Sequence, residues 1–131
     1  MSATDDYKEF LKANLTIPSG SFNIGRISMP QMKYTKAMSI LTLADIDYEI
    51  TYIDPKTLKP TQVDFNRDKI VGMMLAGIDL NKFPIISTLD GYVIDGHHRY
   101  LAALNKGYDS LKSLVIDAPV AKILDLFLNS D

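Results

Sequence analysis

The most constraining stretch of this chain is residues 91–104, where strand chemistry turns into helix chemistry with no loop between them. Tyr92-Val93-Ile94 reads as an apolar strand, Asp95-Gly96 follows, and a helix-forming run over 97–106 begins at once. A strand feeding straight into a helix commits this part of the chain to an alternating α/β arrangement. The junction also leaves backbone N–H groups at the helix start without intrahelical partners, and the helix dipole makes that spot favourable for an anion. Gly96 allows a tight turn and a close approach of the backbone to a ligand. His97, His98 and Arg99 come next, and the guanidinium fork suits phosphate oxygens. Taken together, these residues read as a phosphate-binding turn for a nucleotide.

Each residue of the turn also has a structural reading. On a helix starting near His97, that residue shares a face with Leu101, Leu104 and Tyr108, so it is either a half-buried core histidine or a ligand contact. His98 and Arg99 fall on flanking faces with Ala102, Ala103 and Lys106, which makes them the better ligand candidates. Asp95 is a candidate helix cap, and capping does not exclude magnesium binding or acid–base work.

Composition narrows the class of protein. With 131 residues, 47% of them hydrophobic, the chain can build one sizeable core without staples. It has no cysteine, so disulfide frameworks, thiolate metal sites and cysteine nucleophiles are excluded. Fourteen basic residues against sixteen acidic ones give a net charge of −2, which does not favour a dedicated duplex-DNA binder. No basic-then-apolar signal pattern opens the chain, and no apolar run reaches the roughly 18 residues of a membrane span. A soluble, cytoplasmic protein is expected, with no membrane partner.

Two parts are expected along the chain. Residues 1–47 form an N-terminal helical extension. Thr4 or Asp5 can cap a helix to about residue 15, a long irregular stretch covers 16–34, and a second helix runs from Thr35 or Lys36 to about Ala44. Irregular stretches of this length tend to be lids or disordered arms, and Arg26, with Met29-Pro30-Gln31 behind it, is a weaker candidate for closing over a ligand. Residues 48–131 form the α/β domain. A strand over 48–53 alternates polar and apolar residues, and 56–64 is turn-rich. Asp64 or Asn66 can cap a helix over 67–76 that stops at Gly77. Residues 85–89 and 91–94 read as a hairpin turned at Leu89-Asp90-Gly91. Gly107 stops the helix after the phosphate turn, 113–117 is an apolar strand, and Pro119 opens a helix over 120–129. The methionines mostly sit at helical core spacing and read as core filler.

Residues 50–119 also carry a family pattern. Tyr52-Ile53-Asp54-Pro55, Leu58-Lys59-Pro60-Thr61-Gln62, Phe83-Pro84-Ile85-Ile86 and the run from Val93 through Asp95-Gly96-His97-His98-Arg99 to Ala103 resemble the ParB/sulfiredoxin-like superfamily. The resemblance implies an α/β (α+β) fold with a small mixed sheet and packed helices. It also implies a Gly-x-x-Arg turn that binds nucleotide phosphates at a helix start, beside a loop that would bring Gln62 to the nucleotide. Sulfiredoxin chemistry is excluded, because that turn carries a cysteine where this chain has His97. The Asp-Gly-His-His-Arg version is similar to the group containing free-serine kinases.

The expected function is therefore an ATP-binding ParB-like protein, a small-molecule kinase or ATPase using Mg2+. Asp95 and His98 are the candidate catalytic residues, and Gly96, His97, His98, Arg99 and Gln62 the nucleotide contacts. Asp95 is the candidate metal ligand, and a small phosphate acceptor the further partner. Asp64 is a weaker magnesium ligand candidate, and Arg67 and Lys69 read mainly as solvated charges. Two alternatives stand beside this. Asp95, His97 and His98 could serve a metal-dependent nuclease, or the domain could be a non-catalytic nucleotide sensor of the kind found in partition proteins. Those proteins carry a helix-turn-helix after this domain, which the dozen residues after Pro119 do not supply. A stand-alone copy of this kind suits a phage or mobile-element protein.

Overall fold

A computed structural model of the chain describes residues 3–20, 24 and 32–129. Arg26 and Met29-Pro30-Gln31 lie outside the described residues. The elements are α1 (Ala3–Ala13), α2 (Tyr34–Leu43), β1 (Tyr48–Ile53), β2 (Lys59–Pro60), α3 (Arg67–Leu75), β3 (Ile85–Thr88), β4 (Tyr92–Asp95), α4 (His97–Lys106), β5 (Leu111–Ile116) and α5 (Val120–Leu128). A single 3-10 turn, Pro55–Thr57, links β1 to β2.

The strands form one sheet in the order β1-β5-β3-β4-β2. β1 and β5 run antiparallel in unbroken register from Tyr48↔Ile116 to Ile53↔Leu111. β5 lies parallel to β3, β3 antiparallel to β4, and β4 parallel to β2. Among the described residues, a mixed sheet with five α-helices makes an α+β fold, as the sequence implies. Among the described residues, no helix is long and apolar enough to cross a membrane.

Alternation along the strands creates two cores, one on each face of the sheet. Ile85, Val93 and Leu111 point to one side, where they pack with Ile70 of α3 and with Tyr100 and Leu101 of α4. Their neighbours Ile86, Ile94 and Leu114 point to the other side and meet Ala37 and Leu41 of α2 and Ile123 and Phe127 of α5. Strands buried on both faces read as continuous apolar runs, which is why 85–86 and 114–116 show no polar alternation.

Local chemistry sets the element ends. Gly91 takes φ +89° and its N–H donates to the Thr88 carbonyl at 2.9 Å, closing the β3–β4 hairpin at the Asp-Gly step. Asn66, and not Asp64, caps α3: its Oδ1 accepts from the Lys69 N–H at 3.1 Å. Gly107, at φ +77°, ends α4, and its N–H and that of Tyr108 donate to the Leu104 and Ala103 carbonyls. Asp90 reaches from the hairpin to accept the Val120 N–H at 3.2 Å, so a hairpin side chain satisfies the start of α5.

One strand departs from the sequence reading. Lys59–Pro60, expected within a turn-rich connection, pairs parallel with Tyr92 and Val93. A two-residue strand has no periodicity to read, and proline is tolerated there because β2 has only one strand neighbour in the sheet. Beyond it, Ile24 bridges to Gln62 and accepts the Val63 N–H at 3.0 Å.

Candidate functional site

β4 ends at Asp95, and the chain turns through Gly96 at φ +85°, ψ +30° into α4. A Cβ at position 96 would lie 2.7 Å from Ile85 Cγ2 and 3.0 Å from Arg99 Nη2. Glycine is therefore required by the left-handed turn and by Ile85, so the close approach here is made by the protein's own β3. Gly96 occupies the cap position and α4 has no side-chain cap bond. The cap reading of Asp95 is thereby corrected.

The Asp95 carboxylate turns instead toward the segment before α2, where Oδ1 accepts the Met32 N–H at 3.5 Å. Burial raises its pKa above the ordinary carboxylate value, while the Met32 bond and the charges of Arg99 and Lys69 pull the other way. One helical turn on, Arg99 donates from Nη1 to the Phe83 carbonyl at 2.7 Å. Burial lowers its pKa and the Asp95 charge opposes that, and the guanidinium stays protonated.

Asp95 and Arg99 line a cleft of about 680 Å3. Its other walls are Met32 to Thr35 at the start of α2, and Phe83-Pro84 leading into β3. The rings of Tyr34 and Phe83 stand 6.3 Å apart, tilted by 32°. The cleft therefore joins a cation, a carboxylate and an aromatic wall beside the uncapped start of α4.

The histidines face elsewhere. His97 is only 5% exposed, and its Nε2 accepts from the backbone N–H groups of Thr61 at 3.2 Å and Gln62 at 3.4 Å. Burial, then the neighbouring His98, drives its pKa from 6.5 to about 3, against a hydrogen bond to the Val93 backbone. His97 is thus a neutral core histidine, the first of its two sequence readings. His98, 9% exposed, accepts the Asn66 N–H on Nε2 at 3.0 Å. The Phe65 ring packs 6.1 Å from His97 and 6.2 Å, edge-on, from His98. Both imidazoles therefore hold the loop over residues 61–66 against α4, and neither lines the cleft.

Gln62 is also buried in that loop, where its Nε2 donates to the Asp64 carbonyl. The flanking-face argument for His98 misleads because α3 packs across that side of α4, leaving Ala102 and Ala103 fully buried as well. Arg67, as expected, stays at the surface, donating to the Lys12 carbonyl at 3.1 Å and tying α1 to the start of α3.

Sequence reasoning missed Lys33, Tyr34, Thr35 and the Phe83 ring as cleft residues. Lys33 and Tyr34 close the stretch expected to be irregular over 16–34, and nothing local in the sequence ties them or Thr35 to the cleft. The signal for Phe83 was an aromatic residue placed between Lys82 and Pro84, immediately before a buried strand.

Among the described residues, no group of three or more His, Cys, Asp or Glu is placed to hold a metal. Asp95 is the single carboxylate lining the cleft among the described residues. Magnesium is commonly held by one or two carboxylates, with phosphates and water completing its shell. This donor set fits a cation carried in on a polyphosphate, and it does not make a site from protein ligands alone.

Fold and cleft together define a small α+β domain with a strand–Gly–helix junction bordering an Arg/Asp cleft. No family model matches the chain, and no solved structure matches it. A curated relative, the ParB-like protein of Sulfolobus acidocaldarius, is 31% identical over 77 residues, covering 54% of this chain and 36% of the relative. The likeness supports a ParB-like domain in this chain. The match spans little more than a third of that relative's length.

Proposed function

We propose that the cleft binds a nucleoside triphosphate, with its phosphates at Arg99 and the start of α4, and that Asp95 serves ATP-dependent phosphoryl transfer or hydrolysis. The observation that carries the reading is the presence of Arg99 and the half-buried Asp95 carboxylate on one cleft, at a helix start with no side-chain cap. Arg99, with the positive end of the α4 dipole behind it, supplies charge neutralisation, which is most of what phosphoryl transfer asks of a protein.

A carboxyl whose pKa is raised by burial is a better proton acceptor near neutrality. In this reading the acceptor hydroxyl, or water, gives its proton to Asp95. Its oxygen forms the new bond to the γ-phosphorus as the bond to the bridging oxygen breaks and ADP leaves. Magnesium carried on the phosphates would supply further charge neutralisation; Asp95 would be its protein ligand only in place of the proton-accepting role, not together with it. His98 is left out of the acid–base step, because its Nε2 accepts the Asn66 N–H.

The test is a thermal-shift panel of nucleoside mono-, di- and triphosphates, with and without magnesium, on wild type and Arg99→Ala. A ligand at 100 times its Kd stabilises by about 2.7 kcal/mol, a rise of roughly 5–15 °C in Tm for a domain of this size. The expected result is a shift with triphosphate that Arg99→Ala loses. No shift with any nucleotide would refute the reading. ATP consumption that requires an added small hydroxyl acceptor would identify a kinase, and consumption without one an ATPase.

A further inference from the structure

Resting on the nucleotide reading of the cleft, we infer that Tyr34 and Phe83 form a ring-stacking subsite that selects a phosphate ester bearing a flat aromatic base over a bare polyphosphate. The Phe83 side chain is 53% exposed, although a residue of its size normally withdraws from water. It borders the cleft beside α2, whose first residue, Tyr34, extends the wall at 6.3 Å. Aromatic faces that stay accessible beside a charged groove are suited to nucleobases, because every base presents a π-face.

Phe83 also ties the two ends of the cleft together. Its carbonyl accepts from Arg99 at 2.7 Å, so the residue carrying the ring also fixes the guanidinium proposed to hold the phosphates. A ligand gripped at Arg99 brings its next group over the ring of the same residue. Lys82 stands 5.6 Å from the Phe83 centroid, which adds a cation to the rim of the subsite. The inference gives α2 a part in the site: its first turn supplies Tyr34, while Ala37 and Leu41 bury its other face in the core.

The experiment is equilibrium binding of ATP and of inorganic tripolyphosphate to wild type, Phe83→Ala, Phe83→Leu and Phe83→Tyr. All three variants keep the backbone carbonyl that holds Arg99, and an exposed ring is removed without opening the core. Stacking predicts that Phe83→Ala weakens ATP binding by roughly 5- to 150-fold and leaves tripolyphosphate unchanged. Phe83→Leu should lose nearly as much, since it keeps apolar bulk without a π-face, and Phe83→Tyr should bind ATP like wild type. Equal wild-type affinity for ATP and tripolyphosphate, or an equal loss of both in Phe83→Ala, would overturn the subsite while leaving the phosphate reading intact. Binding of neither probe to wild type would overturn both.

Discussion

Lowering the pH from 7 to 5 tests the role given to His97. In the fold its Nε2 accepts two backbone N–H groups of the 61–66 loop, and burial holds its pKa at about 3 against 6.5 for a free histidine. Below pH 6.5 the unfolded chain takes up a proton there and the native chain does not. The unfolded state then binds more protons, so stability falls as the pH falls, throughout the window from 6.5 to 3. Between pH 7 and pH 5 the loss from this one residue is about 2 kcal/mol. For a domain of this size that corresponds to roughly 6–10 °C in Tm.

His97→Gln is the control, because its side-chain oxygen can accept from the same loop without titrating in this range. Urea unfolding of both proteins at pH 5, 6 and 7 gives the measurement. His97→Gln is expected to start less stable at pH 7, having lost a packed ring, but to lose about 2 kcal/mol less than wild type on acidification. Groups remote from position 97 are common to both proteins and cancel in the difference. Stability curves that run parallel for the two proteins from pH 7 to 5 would refute the reasoning.

Three further outcomes follow from the site. Gly96→Ala forces a left-handed residue and sets its Cβ 2.7 Å from Ile85 Cγ2, so chemical denaturation should report a loss of at least about 2 kcal/mol, and a loss under 1 would contradict the geometry. Asp95→Asn should stabilise the protein at pH 7 while abolishing any phosphotransfer. Burial raises the native pKa of Asp95, so as the pH climbs past the ordinary carboxylate value the unfolded chain ionises first and wild type loses ground. The advantage of Asp95→Asn should therefore grow from pH 4 to 7, and an advantage that shrinks would count against it. Asn66→Ala removes the α3 cap and should cost about 1 kcal/mol in urea unfolding, with m unchanged.

Where sequence and structure agree, the cause lies within a few consecutive residues. The run from Val93 to Gly107 encodes its own strand end, turn, helix and stop, because Gly96 and Gly107 both adopt positive φ. β1 falls where the sequence places a strand, although its Ile50 and Tyr52 are exposed, and the β3–β4 hairpin is legible from Asp90-Gly91. Where they differ, the cause is a neighbour distant in the chain. His98 lies on a helix face that looks free until Phe65 and Asn66 cover it. The two residues of β2 become a strand only through β4. The cleft needs residues 32–35, 83–84, 95 and 99 together, and of these the turn chemistry points to Asp95 and Arg99 alone. Local pattern thus located one wall of the cleft, and tertiary packing supplied the others.

The bond from Arg99 to Phe83 ends on a main-chain oxygen. Every amino acid carries that oxygen, so no substitution at position 83 deletes the anchor. The guanidinium is placed by the path of the backbone entering β3, while the side chain at 83 is free to differ. Anchor and selector therefore share a residue yet can be altered one at a time, and a change of ring at this position would retune which ligands are preferred without dismantling the grip on their charge.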